Sequence, residues 1–186
     1  MPLDPGFADA CGHAQARGAA FDMPPRQISS DFGARNNTNR AGLALDALAD
    51  HAGEGAPTVV LAGTAPHIAA FGDWIDNFVD VHLLIDHPDM IELYEPATLA
   101  VGAPGMSLYE RLWCGLPSVL VCQSDERARL ADWTARTDTV VVAQTAVASI
   151  QDAVRRWSKS RRLPCTARNR QTRPRAPWQP ARWWSA

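Results

Sequence analysis

A repeated alternation of two segment types constrains this chain more than any other feature. Short segments of strand type recur at about 27–32, 57–62, 80–85, 98–101, 118–122 and 138–143. Between and after them lie amphipathic stretches of helical type at about 39–51, 66–77, 88–95, 106–115, 126–136 and 145–156. Leu43, Leu45, Leu48 and Ala49 form a helical stripe, whereas Val59-Val60-Leu61 and Val119-Leu120-Val121 are continuous apolar runs. Continuous runs suit strands covered on both faces, and regular strand–helix alternation implies parallel pairing through right-handed crossovers. The expected fold class is α/β, a Rossmann-like, doubly wound parallel sheet. Ligands of such sheets bind outside the carboxyl ends of the strands. The loops at 33–38, 63–66, 86–89, 102–106 and 123–126 all fall on that edge.

Residues 98–122 hold the most specific chemistry. The pattern predicts a strand at Leu99–Val101, a turn from Gly102 to Gly105, a helix at about Met106–Cys114 and a strand at Ser118–Cys122. A glycine turn opening onto a helix presents unpaired N–H groups and the positive end of the helix dipole, which suits a phosphate. Glu110 lies one turn into that helix, where a carboxylate can accept hydrogen bonds from both hydroxyls of a ribose. On spacing alone, the same turn serves packing equally well.

Gly102-Ala-Pro-Gly-Met-Ser-Leu-Tyr-Glu-Arg, followed by Gly115-Leu-Pro-Ser, resembles the nucleotide-sugar motif of GT-B enzymes, G-A-G-G-x-x-x-W-E-R…G-L-P-S. The nearest resemblance is to the UDP-sugar hydrolases of pseudaminic acid synthesis, and through them to the C-terminal domain of MurG-type glycosyltransferases. Phe32-Gly-Ala-Arg-Asn-Asn-Thr-Asn39 with Leu43-Ala-Leu-Asp-Ala-Leu resembles the family's F-G-G-x-D-x-x-N loop and first helix. Gly63-Thr-Ala-Pro-His67 resembles its loop after the second strand, and Leu84-Ile-Asp-His-Pro-Asp-Met-Ile-Glu-Leu93 the segment leading to the motif. The resemblance covers roughly residues 27–150. It departs at Pro104, which removes a backbone donor and fixes φ, and at Met106, where the family has a small polar residue.

The resemblance implies a UDP-sugar ligand, with hydrolysis or transfer at the glycosyl phosphate of an amino-sugar nucleotide in surface polysaccharide synthesis. It implies UDP-sugar contacts from Met90, Gly102, Ala103, Gly105, Met106, Ser107, Tyr109 and Glu110. Sugar or phosphate contacts from Gly33, Asn36, Asp125 and Glu126 follow with it. Asp125 and Glu126 stand where the family has Asn-Gln, and acids there would repel a diphosphate. No catalytic residue is assigned, because the family's water-activating histidine belongs to a separate N-terminal half, the expected partner. A binding module without turnover, or a degenerate remnant, is the alternative.

Several residues carry a second reading. Glu110 can instead pair with Arg111 or cap its own turn. Arg111 reads as facing solvent or a neighbouring acid. Ser107 fits the first turn of any helix, and Tyr109 fits a core. Asn37 or Thr38 fits the N-cap of the first helix. His67 and His87, on the ligand edge, are acid–base candidates by their titration range or plain surface residues.

The chain has 186 residues, enough for one domain with a tail. No apolar run approaches the ~20 residues of a membrane span, and Met1–Phe7 has neither the basic nor the apolar region of a signal peptide. Cys11, Cys114, Cys122 and Cys165 form no C-x-x-C pair. They read as reduced thiols of a cytoplasmic protein, and neither a metal nor a cofactor is expected. Charge is uneven. Residues 1–154 hold 8 basic and all 20 acidic residues, whereas 155–186 hold 10 basic and none acidic. The expected organisation is an N-terminal extension at 1–25, which the resemblance makes an interdomain linker, a nucleotide-sugar-binding domain at 26–156, and a tail at 157–186. The tail, rich in Arg, Trp and Pro, reads as disordered, or as the product of a shifted reading frame. Arginine interleaved with tryptophan leaves RNA or anionic lipid as an alternative partner, although nucleic acid is not the expected one.

Overall fold

The computed structural model describes residues 27–33, 39–49, 57–66, 68, 71, 75, 81–122, 125, 128–130 and 140–159. Six parallel strands form one sheet: β1 (Ile28–Asp31), β2 (Thr58–Leu61), β3 (His82–Ile85), β4 (Leu99–Gly102), β5 (Ser118–Val121) and β6 (Val140–Ala143). Their order is β3-β2-β1-β4-β5-β6. Each expected strand is present, and the α/β doubly wound class is confirmed. Four helices have defined bounds: α1 (Arg40–Leu48), α2 (Met90–Tyr94), α3 (Met106–Trp113) and α4 (Val147–Lys159).

Successive side chains of a strand point to opposite faces, and both faces here are apolar. Leu99 and Val101 of β4, with Val119 and Val121 of β5, join the main core beside Ala44, Leu45 and Leu48 of α1 and Ile150 and Val154 of α4. Ala100 points the other way, into a cluster with Tyr94, Cys114 and Leu116. Leu120 packs with Leu108 of α3 and Val140. This two-sided cover explains the uninterrupted valine and leucine runs.

Local chemistry fixes the helix ends. Asn39 is the N-cap of α1, at φ 48°, and its side chain accepts from the Gly42 N–H. The cap is therefore two residues beyond Asn37 and one beyond Thr38, because asparagine tolerates the left-handed region better than a β-branched threonine. Asp89 caps α2 by accepting from the Ile91 and Glu92 N–H groups. α3 ends in a Schellman turn: Gly115 has φ 65°, its N–H donates to Leu112 O at 3.1 Å, and Leu116 N–H donates to Arg111 O at 2.8 Å. That turn aims Leu116 into the core and starts β5 two residues later. α4 continues past 156 to Lys159, and Trp157 packs against the main core. Among the described residues no helix is long and apolar enough to cross a membrane.

Candidate functional site

The strand order reverses between β1 and β4, which pair in parallel with Asp31 opposite Gly102. The connections leaving β1 and β4 run in opposite directions along the sheet, so a crevice opens at their carboxyl ends. The turn from Gly102 to Gly105 and the start of α3 border this crevice, as does Gly33.

Gly102 closes β4 rather than opening the turn. A Cβ there would overlap the backbone oxygen of Asp31 and lie 2.6 Å from Arg111 Nη1. Glycine at 102 is thus demanded by close packing. Ala103 N–H donates to Asp31 O at 3.2 Å, and Gly105 N–H donates to Ala103 O at 2.9 Å around the buried Pro104. This three-residue turn matches the fixed φ of proline. Gly105 is the N-cap of α3, with no side-chain cap hydrogen bond, and a Cβ on it would meet open space. An uncapped helix start leaves backbone donors directed at the crevice. Met106 is 52% exposed there, while Ser107 and Tyr109 are half-buried.

Arg111 meets one of its two sequence readings, the neighbouring acid, and not the other. Instead of facing solvent it is fully buried. Nη2 donates to Ala103 O at 2.7 Å and Nε donates to Ser107 O at 3.2 Å, so one guanidinium ties the turn to the first turn of α3. Nη1 is buried without a hydrogen-bond partner. Beside it lies a polar cluster that sequence reasoning missed. Asp31 is buried, its Oδ1 accepts from Gly33 N–H at 2.7 Å, and its Oδ2 accepts from the Tyr94 hydroxyl at 3.5 Å. Burial, reinforced by the Asp31 carboxylate, pushes the Tyr94 phenol far above its usual range. Glu110 is half-buried, and its carboxyl is raised above the ordinary glutamate value. Desolvation is the main cause, Asp31 adds to it, and Arg111 opposes it. An acid closing the first strand, two residues before Gly33, was the signal for Asp31 in the sequence.

The other candidates divide. Gly33 has φ 67°, a conformation suited to glycine, and lies at the carboxyl end of β1. Met90 begins α2 and packs against the Tyr94 cluster. Asp125 is helical and exposed. Asn36, Glu126 and His67, with Asn37 and Thr38, lie outside the described residues. His87 has a neighbour that its sequence did not announce: Nε2 is 3.6 Å from Glu92 Oε2. Gly63 N–H donates to Asp86 Oδ1 at 2.7 Å, tying the loops after β2 and β3 together. Among the described residues no group of three His, Cys, Asp or Glu could hold a metal ion.

This chain is similar in structure to several sugar-transferring enzymes. MurG of Acinetobacter baumannii superposes with a TM-score of 0.59 at 15% identity, over 83% of this chain and 48% of MurG. The spinosyn rhamnosyltransferase SpnG complexed with thymidine diphosphate gives 0.59 at 17% identity, over 84% of this chain and 42% of SpnG. The fold is that of a GT-B glycosyltransferase domain. UDP-GlcNAc 2-epimerase of Neisseria meningitidis, bound to UDP-GlcNAc, gives 0.56 at 13% identity, over 84% of this chain and 45% of the epimerase. This GT-B-type chain therefore spans less than half the length of these enzymes. No protein-family model matches its sequence, and no curated protein sequence does.

Proposed function

We propose that this chain binds a UDP-sugar and forms the donor-binding half of an enzyme acting at the glycosyl phosphate, as a hydrolase or a glycosyltransferase of amino-sugar nucleotides. The observation that carries this reading is the placement of α3. Its uncapped N-terminus opens at the reversal of strand order, and Glu110 stands half-buried one turn further in. Backbone donors at a helix start suit a diphosphate, and a carboxylate at that distance suits a ribose. The resemblance of residues 102–118 to the nucleotide-sugar motif assigns the uridine, with Ala103, Gly105, Met106, Ser107 and Tyr109 around it and Met90 nearby. Thymidine diphosphate in SpnG and UDP-GlcNAc in the epimerase are ligands of the same general kind, held by proteins of the same fold.

The described residues form one side of the crevice. Positioning and general acid–base catalysis need groups from both sides of the reacting bond. The purified chain alone is expected to stabilise thermally with UDP and UDP-N-acetylhexosamines more than with ADP, and to release no free sugar from them. Preference for ADP would refute the uridine assignment, and turnover would place the catalytic base on this domain. A degenerate remnant, folded but without ligand, is the second reading. Pro104, which lacks the N–H of a fuller phosphate cradle, and the exposed Met106 favour it.

A further inference from the structure

We propose that Arg111 is the positioning residue of this site: a buried guanidinium that locks the 103–107 backbone from beneath and is the counter-charge to the adjacent Glu110. The inference rests on the nucleotide reading above. It goes beyond it by making one residue responsible for both ends of the ligand.

Four observations converge. Arg111 is fully buried, which is rare for arginine unless its charge is matched. Two of its nitrogens hold carbonyls on either side of the helix start, Ala103 O at 2.7 Å and Ser107 O at 3.2 Å. Those carbonyls belong to the segment whose N–H groups would meet a diphosphate, so the guanidinium fixes the direction of the donors without touching the ligand. The third nitrogen, Nη1, occupies the space left by the missing side chain of Gly102 and has no hydrogen-bond partner. Finally, Arg111 follows Glu110 directly, so movement of one displaces the other.

The groups around Glu110 come from three elements: Asp31 from β1, Tyr94 from α2, and Arg111 from α3 itself. Asp31 and desolvation disfavour the charged carboxylate, and only Arg111 among them favours it. Without the guanidinium, the balance at Glu110 would shift toward the neutral acid, a weaker acceptor for a ribose hydroxyl than the anion. A role confined to structure would loosen the helix start but leave this ionisation unchanged.

The test separates charge from hydrogen bonding. The titration midpoint of the Glu110 side-chain carboxyl is followed by carbon NMR in the full chain, without ligand, for the wild type, Arg111→Met, Arg111→Lys and Asp31→Asn. Dissociation constants for UDP and uridine are measured alongside. Arg111→Met should raise the midpoint by about one pH unit or more, the scale for losing an adjacent opposite charge. Arg111→Lys should leave it near the wild-type value yet weaken UDP about tenfold, with a much smaller effect on uridine, because lysine lacks the fork that holds both carbonyls. Asp31→Asn should lower it, and the split between UDP and uridine in Arg111→Lys decides the matter if Arg111→Met fails to fold. A midpoint that a folded Arg111→Met does not raise would overturn the proposal, as would equal weakening of UDP and uridine by Arg111→Lys. Glu110→Gln that leaves both ligands' affinities unchanged would refute the ribose reading separately, while the ligand-free midpoints still judge the counter-charge.

Discussion

Asp31 and Gly102 are register partners at the carboxyl ends of β1 and β4, and the backbone oxygen of Asp31 fills the space where a side chain on residue 102 would begin. The same oxygen accepts from Ala103 N–H. The crevice at the strand reversal is thus built from backbone against backbone, which is why its edge is so narrow in tolerance.

Gly102→Ala should accordingly be costly. The obstructing atom belongs to a central strand and cannot rotate away, so the loss should reach or exceed the upper part of the ~1–3 kcal/mol overpacking range. Gly105→Ala, where a Cβ meets open space, should cost under about 1 kcal/mol, the modest penalty of alanine at an N-cap. Denaturant midpoints at unchanged slope would measure both. Equal losses would mean that the turn relaxes and that Gly102 is not packed as described.

Much of this was legible in the sequence. Val59-Val60-Leu61 and Val119-Leu120-Val121 announced a sheet covered on both faces, because only such strands need apolar side chains at consecutive positions. Spacing placed the Gly102–Gly105 segment between strand and helix and Glu110 one turn into that helix. The burial of Arg111 was not legible. An arginine on an amphipathic helix reads as solvated, and its burial depends on two carbonyls and a missing Cβ that meet only once the turn has folded. Asn39 was missed as the cap because its left-handed conformation is a property of the loop path. The Asp31–Tyr94 contact joins residues 63 apart in sequence, and no local pattern encodes it.

The raised ionisation of Glu110 makes a signed prediction about pH. A folded-state carboxyl that titrates above its unfolded value binds more protons than the unfolded chain between the two values. Its contribution to stability is therefore greatest at low pH, and is lost as pH rises from the ordinary glutamate value through the folded one. Glu110→Gln should raise the melting temperature of the ligand-free chain at neutral pH, and the gain should vanish below the ordinary glutamate range. A gain that persists unchanged in acid would trace to packing, not to ionisation.

The central claim is that α3 receives a uridine diphosphate, with the diphosphate at its N-terminus and the ribose at Glu110. Calorimetric titration of the chain with UDP, beside Glu110→Ala, tests it most directly. The account predicts saturable binding by the wild type and a loss of about 1–3 kcal/mol in the variant, the scale for removing hydrogen bonds to a charged group. Equal affinity in the two proteins would contradict the placement of the ribose, and no heat of binding from the wild type would contradict the site.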